Sequence, residues 1–171
     1  AQTFIKRNCK SGLFIKLRNN YYQLTDSNPS LYIVANKLYQ PSYISLEKAL
    51  SHYHIIPETV YGITSVTTSP TQEFVTPRGT FSYQTIKSQA YTGYSPKRIE
   101  GRIVFFADAE KALADYLYFV DLKRISLNDR LELRNIKKNK LIKAAKLFQR
   151  KNILALIDHI YVEYRKPRRI Y

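Results

Sequence analysis

Three histidines, one spaced pair of carboxylates and a high density of lysine and arginine are the residues of this 171-residue chain that could do chemistry. His52 and His54 stand two apart near the end of an amphipathic stretch, without a carboxylate at metal-ligand spacing. His159 stands alone, so a surface or core role fits all three better than a metal or general-base role. Asp108 and Glu110 have the Asp-x-Glu spacing that can hold a divalent ion. They also sit where a helix should begin, where carboxylates complement unsatisfied N–H groups and the helix dipole, and capping accounts for both. A nuclease would gather carboxylates around a lysine, yet Glu110 and Lys111 are adjacent and point to different helix faces. Gly62-Ile-Thr-Ser65 is followed by no Asp-x-Asp pair, so the nucleotidyltransferase pattern is missing. The five glycines are scattered singly, without a phosphate loop. No catalytic set, no metal site and no cofactor is expected.

The cations are a different matter. Net charge is +15, and it is unevenly placed. Residues 1–30 hold five Lys or Arg against one acidic residue, residues 31–122 hold eight against eight, and residues 123–171 hold fifteen against four. A neutral centre between basic ends is what a globular core with polyanion-facing ends would show. Five of these cations, Lys6, Arg7, Lys10, Lys16 and Arg18, fall within 13 residues.

The elements around them follow from pattern. Gln2 to Lys10 is a helix with Ile5 and Cys9 on one face, stopped by Ser11-Gly12, since glycine suits the left-handed C-terminal position. Two apolar runs, Leu13–Leu17 and Tyr21–Leu24, flank Arg18-Asn19-Asn20, a tight-turn signal for a hairpin. A helix that ends at glycine and feeds a hairpin is the second half of a winged helix-turn-helix, in which the helix enters the major groove and the wing lies on the backbone. The competing reading is a helix and hairpin that merely pack on the next domain. Because the chain opens inside the helix and has no Met, the earlier helices of such a domain are expected to be missing from it. Thr25 to Pro29 is a polar turn cluster and the expected boundary, with a wing-bearing segment 1–28 before it and a second domain 31–171 after it.

Leu31 to Tyr39 reads as a short helix. Ser45 is a good N-cap for Leu46, Ala49, Leu50 and Tyr53 at helical spacing. Val60 to Thr68 is rich in β-branched residues and reads as a strand. Glu73–Thr76 and Thr80–Tyr83 alternate about Pro77-Arg78-Gly79 as a hairpin. Ile99 to Ala107 reads as one strand with a buried end at Ile103 to Phe106. Asp108 then caps a helix with Leu113, Tyr116, Leu117 and Val120 inward. Leu141, Ala144, Ala145, Phe148 and then Ile153, Leu156, Ile157, Ile160, Tyr164 are two stripes of an antiparallel helical hairpin joined by residues 149–152. The first of these helices carries Lys137, Lys138, Lys140, Lys143, Lys146 and Arg150 outward, and Arg165 to Arg169 is a basic tail. The fold class expected is α+β: a mixed or antiparallel sheet with helices on one side, and a C-terminal helical hairpin. Most of the 15 tyrosines and 8 phenylalanines fall on apolar stripes and belong to the core. Tyr21, Tyr22, Tyr91 and Tyr94 are the exceptions that could stack on bases. With one cysteine and no apolar run long enough to span a bilayer, and no leader-like segment, a cytoplasmic protein is expected.

The stretch from Pro41 to Thr68, reading PSYISLEKALSHYHIIPE and then YGITSVTT, resembles the AbiEi antitoxin family of type IV toxin–antitoxin (abortive infection) systems. The resemblance continues through Gly79-Thr-Phe-Ser-Tyr83, Ile86-Lys87 and Tyr91-Thr-Gly-Tyr94, and resumes at Phe106 to Leu113. There the family usually has Thr-Pro before Glu-Lys-Ala-Leu and this chain has Asp108-Ala109. Roughly residues 13 to 160 are covered. The resemblance implies an N-terminal winged helix that autoregulates its own operon and a C-terminal domain that carries antitoxicity. By it and by side-chain type, Gln2, Thr3, Lys6, Arg7 and Lys10 would reach bases or phosphates of double-stranded operator DNA, with Lys16, Arg18 and Asn19 on the wing. It implies as functional partner a nucleotidyltransferase-like toxin that need not be bound directly. The alternative is an RNA-binding or nucleic-acid-modifying protein whose main contacts are Lys137, Lys138, Lys140 and Lys143. A plain dimerisation module is a third possibility, and the oligomeric state is left open by the sequence.

Overall fold

Short runs of β-branched and aromatic residues, each broken by Gly, Pro or Asn, make many short strands, while the longer periodic stretches make helices. A computed structural model describes residues 2–165, without the side chain of Gln2, so that part of the expected tail beyond Arg165 lies outside the described residues. The order is α1 (Gln2–Lys10), β1 (Phe14–Arg18), β2 (Tyr21–Leu24), α2 (Leu31–Leu38), β3 (Ser42–Ile44), α3 (Leu46–His52), β4 (Ile63–Thr67), β5 (Gln72–Thr76), β6 (Gly79–Thr85), β7 (Tyr94–Ile99), β8 (Arg102–Ala107), α4 (Ala109–Asp121), α5 (Lys138–Lys146) and α6 (Lys151–Arg165). The architecture is α+β. Strands β1 and β2 form a hairpin of their own, and the other six form one mixed sheet in the order β5-β6-β4-β3-β8-β7. The pairs β3–β8 and β4–β6 are parallel and the other three antiparallel.

Helices cover both faces of that sheet, not one. Register puts Ile44, Ser65 and Tyr83 on the same face, since each pairs with the next across the sheet. On that face the Tyr83 hydroxyl donates to the Ala35 carbonyl of α2. Tyr43 points the other way and its hydroxyl donates to Asp115 of α4. The one-sided expectation failed because adjacent residues of the central strand β3 are all buried, so its three residues show no alternation to read.

Two further corrections concern residues 99–107. They are not one strand: Glu100 and Gly101 both have positive φ (48° and 73°) and turn β7 into β8 as a two-residue hairpin loop. Nor is the end at Ile103 to Phe106 uniformly buried. Val104 and Phe106 are inside, whereas Ile103 and Phe105 are exposed, as strand alternation requires.

Both expected N-caps sit at the cap positions with their side chains employed elsewhere. The Ser45 hydroxyl donates to Asp115 at 2.7 Å. The N–H of Lys48 is satisfied by Thr64 Oγ1 at 3.0 Å, and that hydroxyl in turn donates to the Ser45 carbonyl. Asp108 Oδ1 accepts from the Ser95 hydroxyl at 3.0 Å. A strand residue therefore caps α3 across the sheet.

Asn36 shows how short β3 is made to suffice. Its side-chain amide accepts from the Phe105 N–H and donates to the Phe105 carbonyl, standing in for a strand neighbour from within α2. Asn36→Ala removes both partners from a part-buried peptide group, and it should cost about 1–3 kcal/mol. Urea unfolding followed by circular dichroism measures the loss, and an unchanged midpoint would refute the role.

Candidate nucleic-acid interface

Helix α1 ends in a Schellman motif. The N–H of Leu13 bonds to the Asn8 carbonyl and that of Gly12 to Cys9, with Gly12 at φ 79°. At 100° per residue Thr3, Lys6, Arg7 and Lys10 fall on one side of α1, and all four are exposed. Ile5, Asn8 and Cys9, on the other side, are partly buried. The helix sequence contains no acidic residue, so this face presents cations without internal neutralisation. Gln2 belongs to α1, but its side chain lies outside the described residues.

The hairpin splits the expected wing residues into two groups. Lys16 and Asn19 are exposed, and Asn20 at φ 61° makes the turn. Simple alternation would put Arg18 on the same face as Lys16, but the register slips between them by a bulge. The bulge re-aims Arg18 toward the body of the protein. Its guanidinium lies 5.1 Å from the Tyr21 ring centre and 5.8 Å from that of Phe74 on β5. Leu17 beside it is buried in the main core. Arg78, from the β5–β6 turn, donates to the Asn28 side chain and to the Pro29 carbonyl at 2.9 Å, fixing the segment after the hairpin. Tyr21 lies under Arg18, and Tyr91 and Tyr94 pack on Tyr43 at 5.1 and 4.5 Å.

Helices α5 and α6 run antiparallel: Lys138 at the start of α5 pairs with Asp158 of α6 at 2.8 Å and lies over Tyr161. Arg150 pairs with Asp121. Lys137, Lys140, Lys143 and Lys146 are exposed. Their side chains have no acidic partner among the described residues. Two of the expected outward cations are thus neutralised and four are not. Cations therefore gather at α1 with β1 and at α5.

Sequence pattern missed a buried polar centre. Lys111 and Asp115, one turn apart on α4, form an ion pair at 2% and 0% exposure. The Asp115 carboxylate also accepts from Ser45 at 2.7 Å and Tyr43 at 3.1 Å. Burial pushes its carboxyl up from the ordinary value, opposed by the Lys111 ammonium and the two hydroxyls. The Tyr43 hydroxyl is pushed well up by burial and then by Asp115. The signal available was an i,i+4 Lys–Asp pair in an otherwise apolar helix stretch. Gly93, at φ 75°, lies against the Lys111 stem, where a Cβ would sit 3.0 Å from Cγ.

The histidines form no metal site, and no cluster of three possible ligands occurs among the described residues. His52 Nε2 lies 3.2 Å from Lys97 Nζ, whose charge makes the neutral ring the acceptor. Lys97 also donates to the Tyr53 hydroxyl and lies 4.4 Å from the Phe106 ring centre. Burial, then Lys97, His54 and Lys48, hold His52 below its ordinary value. Burial and then Asp108 raise Tyr53 to about 12. No protein-family model matches the chain, and no curated protein matches it in sequence. Among the described residues, no helix is long and apolar enough to cross a membrane.

Lys111→Met strands a buried carboxylate and Asp115→Asn strands a buried ammonium, so each should cost about 3–5 kcal/mol, while the double variant Lys111→Met/Asp115→Asn, which strands no charge, should cost less than the sum of the two; urea unfolding of the three variants checks this. Because the fold depresses His52, the unfolded chain binds its proton first as pH falls. The contribution is whole above 6.5 and is lost as pH drops through the depressed folded value. His52→Gln should flatten that part of the curve of unfolding midpoint against pH.

Proposed function

We propose that this chain is a cytoplasmic antitoxin of the type IV class that also represses its own operon by binding operator DNA. In this reading α1 and the β1–β2 hairpin are the recognition helix and wing of a winged helix-turn-helix, and residues 31–171 form the antitoxin domain. The observation that carries it is the single exposed face of α1 bearing Thr3, Lys6, Arg7 and Lys10 with no acidic residue on the helix. Lys16 and Asn19 continue that set onto the hairpin. Such a face suits duplex DNA: lysine and arginine meet phosphates, and arginine, threonine and the asparagine amide can read base edges. Arg18 is assigned a different part, since its guanidinium is held against Tyr21 and Phe74.

The antitoxin half rests on the resemblance of Pro41–Thr68 and the later motifs to the AbiEi family. The implied partner is a nucleotidyltransferase-like toxin, opposed without a stable complex. A second reading, RNA binding through α5, draws on Lys140 and Lys143, exposed and free of acidic partners among the described residues.

Lys6→Ala/Arg7→Ala should weaken binding to DNA from upstream of the gene, with the salt slope falling by about 1 for each phosphate that is no longer neutralised. Lys140→Ala/Lys143→Ala should leave it nearly unchanged, as read by gel shift over a salt series. The reverse pattern favours the RNA-binding reading and rejects the winged helix. Co-expression with the toxin gene that this reading places beside it should restore growth, and failure to do so, or a neighbouring gene of another kind, counts against the antitoxin assignment.

A further inference from the structure

Between β1 and β5 lies an open cleft of about 480 Å³, within the size range of small-ligand sites. Two aromatic rings form its wall. Phe74 and Tyr39 pack at 5.9 Å, and the Tyr39 hydroxyl is occupied by the Pro70 carbonyl, so Tyr39 offers only its ring. Four polar residues line the cleft beside this wall: Lys16, Arg18 and Asn19 from the hairpin, and Gln72 two residues before Phe74 on β5. No carboxylate lines the cleft. None of these four side chains has a hydrogen bond or ion pair with another described residue.

Arg18 is the telling member. Its charged plane is set by Tyr21 and Phe74, and its Nε is buried without a partner. Burying a guanidinium donor with no acceptor is unfavourable, and a guanidinium fork matches an oxyanion bidentately. A surface arginine with no task would turn its head to water. The bulge in β1 instead aims this one into the cleft.

We propose that this cleft binds a nucleotide, with the phosphate on Arg18 and Lys16, the base against Phe74, and the Gln72 amide at the base edge. An amide offers both a donor and an acceptor there, while Asn19 and Lys16 stand at the rim. The charge of the cleft selects the phosphate, its rings select the base, and neither part alone uses all of its groups. The same chemistry is met in a free mononucleotide and in an unpaired nucleotide of a strand. The site does not require α1 to bind duplex DNA. It lies between the hairpin and β5; Lys16 and Asn19 are shared with the operator reading, whereas Arg18, Phe74 and Gln72 have no part in it.

Isothermal titration with the four ribonucleoside monophosphates, adenosine, inorganic phosphate and a short single-stranded oligonucleotide tests this. At least one mononucleotide should bind about tenfold more tightly than phosphate or adenosine, the scale of one base stacked on an aromatic side chain. Arg18→Gln, Phe74→Leu and Gln72→Ala should each weaken it by a similar factor. Gln72 is exposed, so its variant reports on the cleft even if Phe74→Leu disturbs folding. An oligonucleotide that binds more tightly with the same variant sensitivity assigns the site to a strand; equal or weaker binding assigns it to the free nucleotide. Phosphate binding as tightly as nucleotides, no binding at all, or indifference to both Arg18→Gln and Gln72→Ala overturns the proposal. Lys6→Ala/Arg7→Ala should leave nucleotide affinity intact, so failure of the operator reading and failure of this one are told apart.

Discussion

The carboxylate of Asp115 is the point on which the central part of the structure depends. It is fully buried and holds three donors: the Lys111 ammonium one turn earlier, the Tyr43 hydroxyl from β3, and the Ser45 hydroxyl just before α3. An ionised group in such a place is tolerated only with partners of this kind. Consequences spread from it. Since Ser45 serves Asp115, α3 is capped by Thr64 from β4. Since Tyr43 is held by its hydroxyl, its ring forms the platform on which Tyr94 stacks at 19° and Tyr91 leans. Since the Lys111 stem lies alongside and φ is 75°, a side chain at residue 93 would be strained and would press on that stem. A buried pair adds little net stability against a well-packed apolar alternative. Its contribution here is registry between α4, β3 and α3.

The N-terminal hairpin is placed by a different kind of contact. Leu17 enters the main core, Arg18 lies on Phe74, and Arg78 reaches from the β5–β6 turn to Asn28 and Pro29. With one side of the hairpin committed to the sheet, Lys16 and Asn19 are the residues left to meet a partner. The bulge that sends Arg18 inward thus separates a cation held against Phe74 from one, Lys16, that stays exposed at the rim of the cleft.

Features written locally were legible in the sequence. The end of α1 at Gly12, the turns at Asn19-Asn20 and Pro77-Arg78-Gly79, the stripe of α4 and the α5–α6 pair all depend on residues a few positions apart. What escaped depends on residues far apart. The cap of α3 comes from Thr64, the strand-like partner of Phe105 is Asn36, and Asp115 finds donors about 70 positions away. Helices on both faces were hidden because β3 is too short and too buried to alternate. The hairpin at Glu100-Gly101 was missed for another reason: Gly101 marks a turn, but Glu100, the other loop residue at positive φ, is not of a type that favours it. Of the candidate interface, the clustering of cations could be read directly, whereas the inward turn of Arg18 could not, because a bulge has no signature in the order of residues.

Which cations can meet a polyanion is decided by pairing as much as by exposure. Lys138 and Arg150 already hold Asp158 and Asp121, and such a cation presents a reduced field beyond a Debye length of about 8 Å at physiological salt. Lys6, Arg7 and Lys10 on α1, and Lys140, Lys143 and Lys146 on α5, have no such partner among the described residues. The two groups still differ in chemistry. The face of α5 offers only ammonium groups, compact point charges that attract phosphate without regard to sequence. The face of α1 adds a guanidinium and a threonine hydroxyl to its lysines, and the hairpin adds an amide, groups whose directed hydrogen bonds can distinguish one base edge from another. If both ends touch nucleic acid, discrimination therefore belongs to α1 and the hairpin. In that case the C-terminal lysines would supply affinity that any sequence can use.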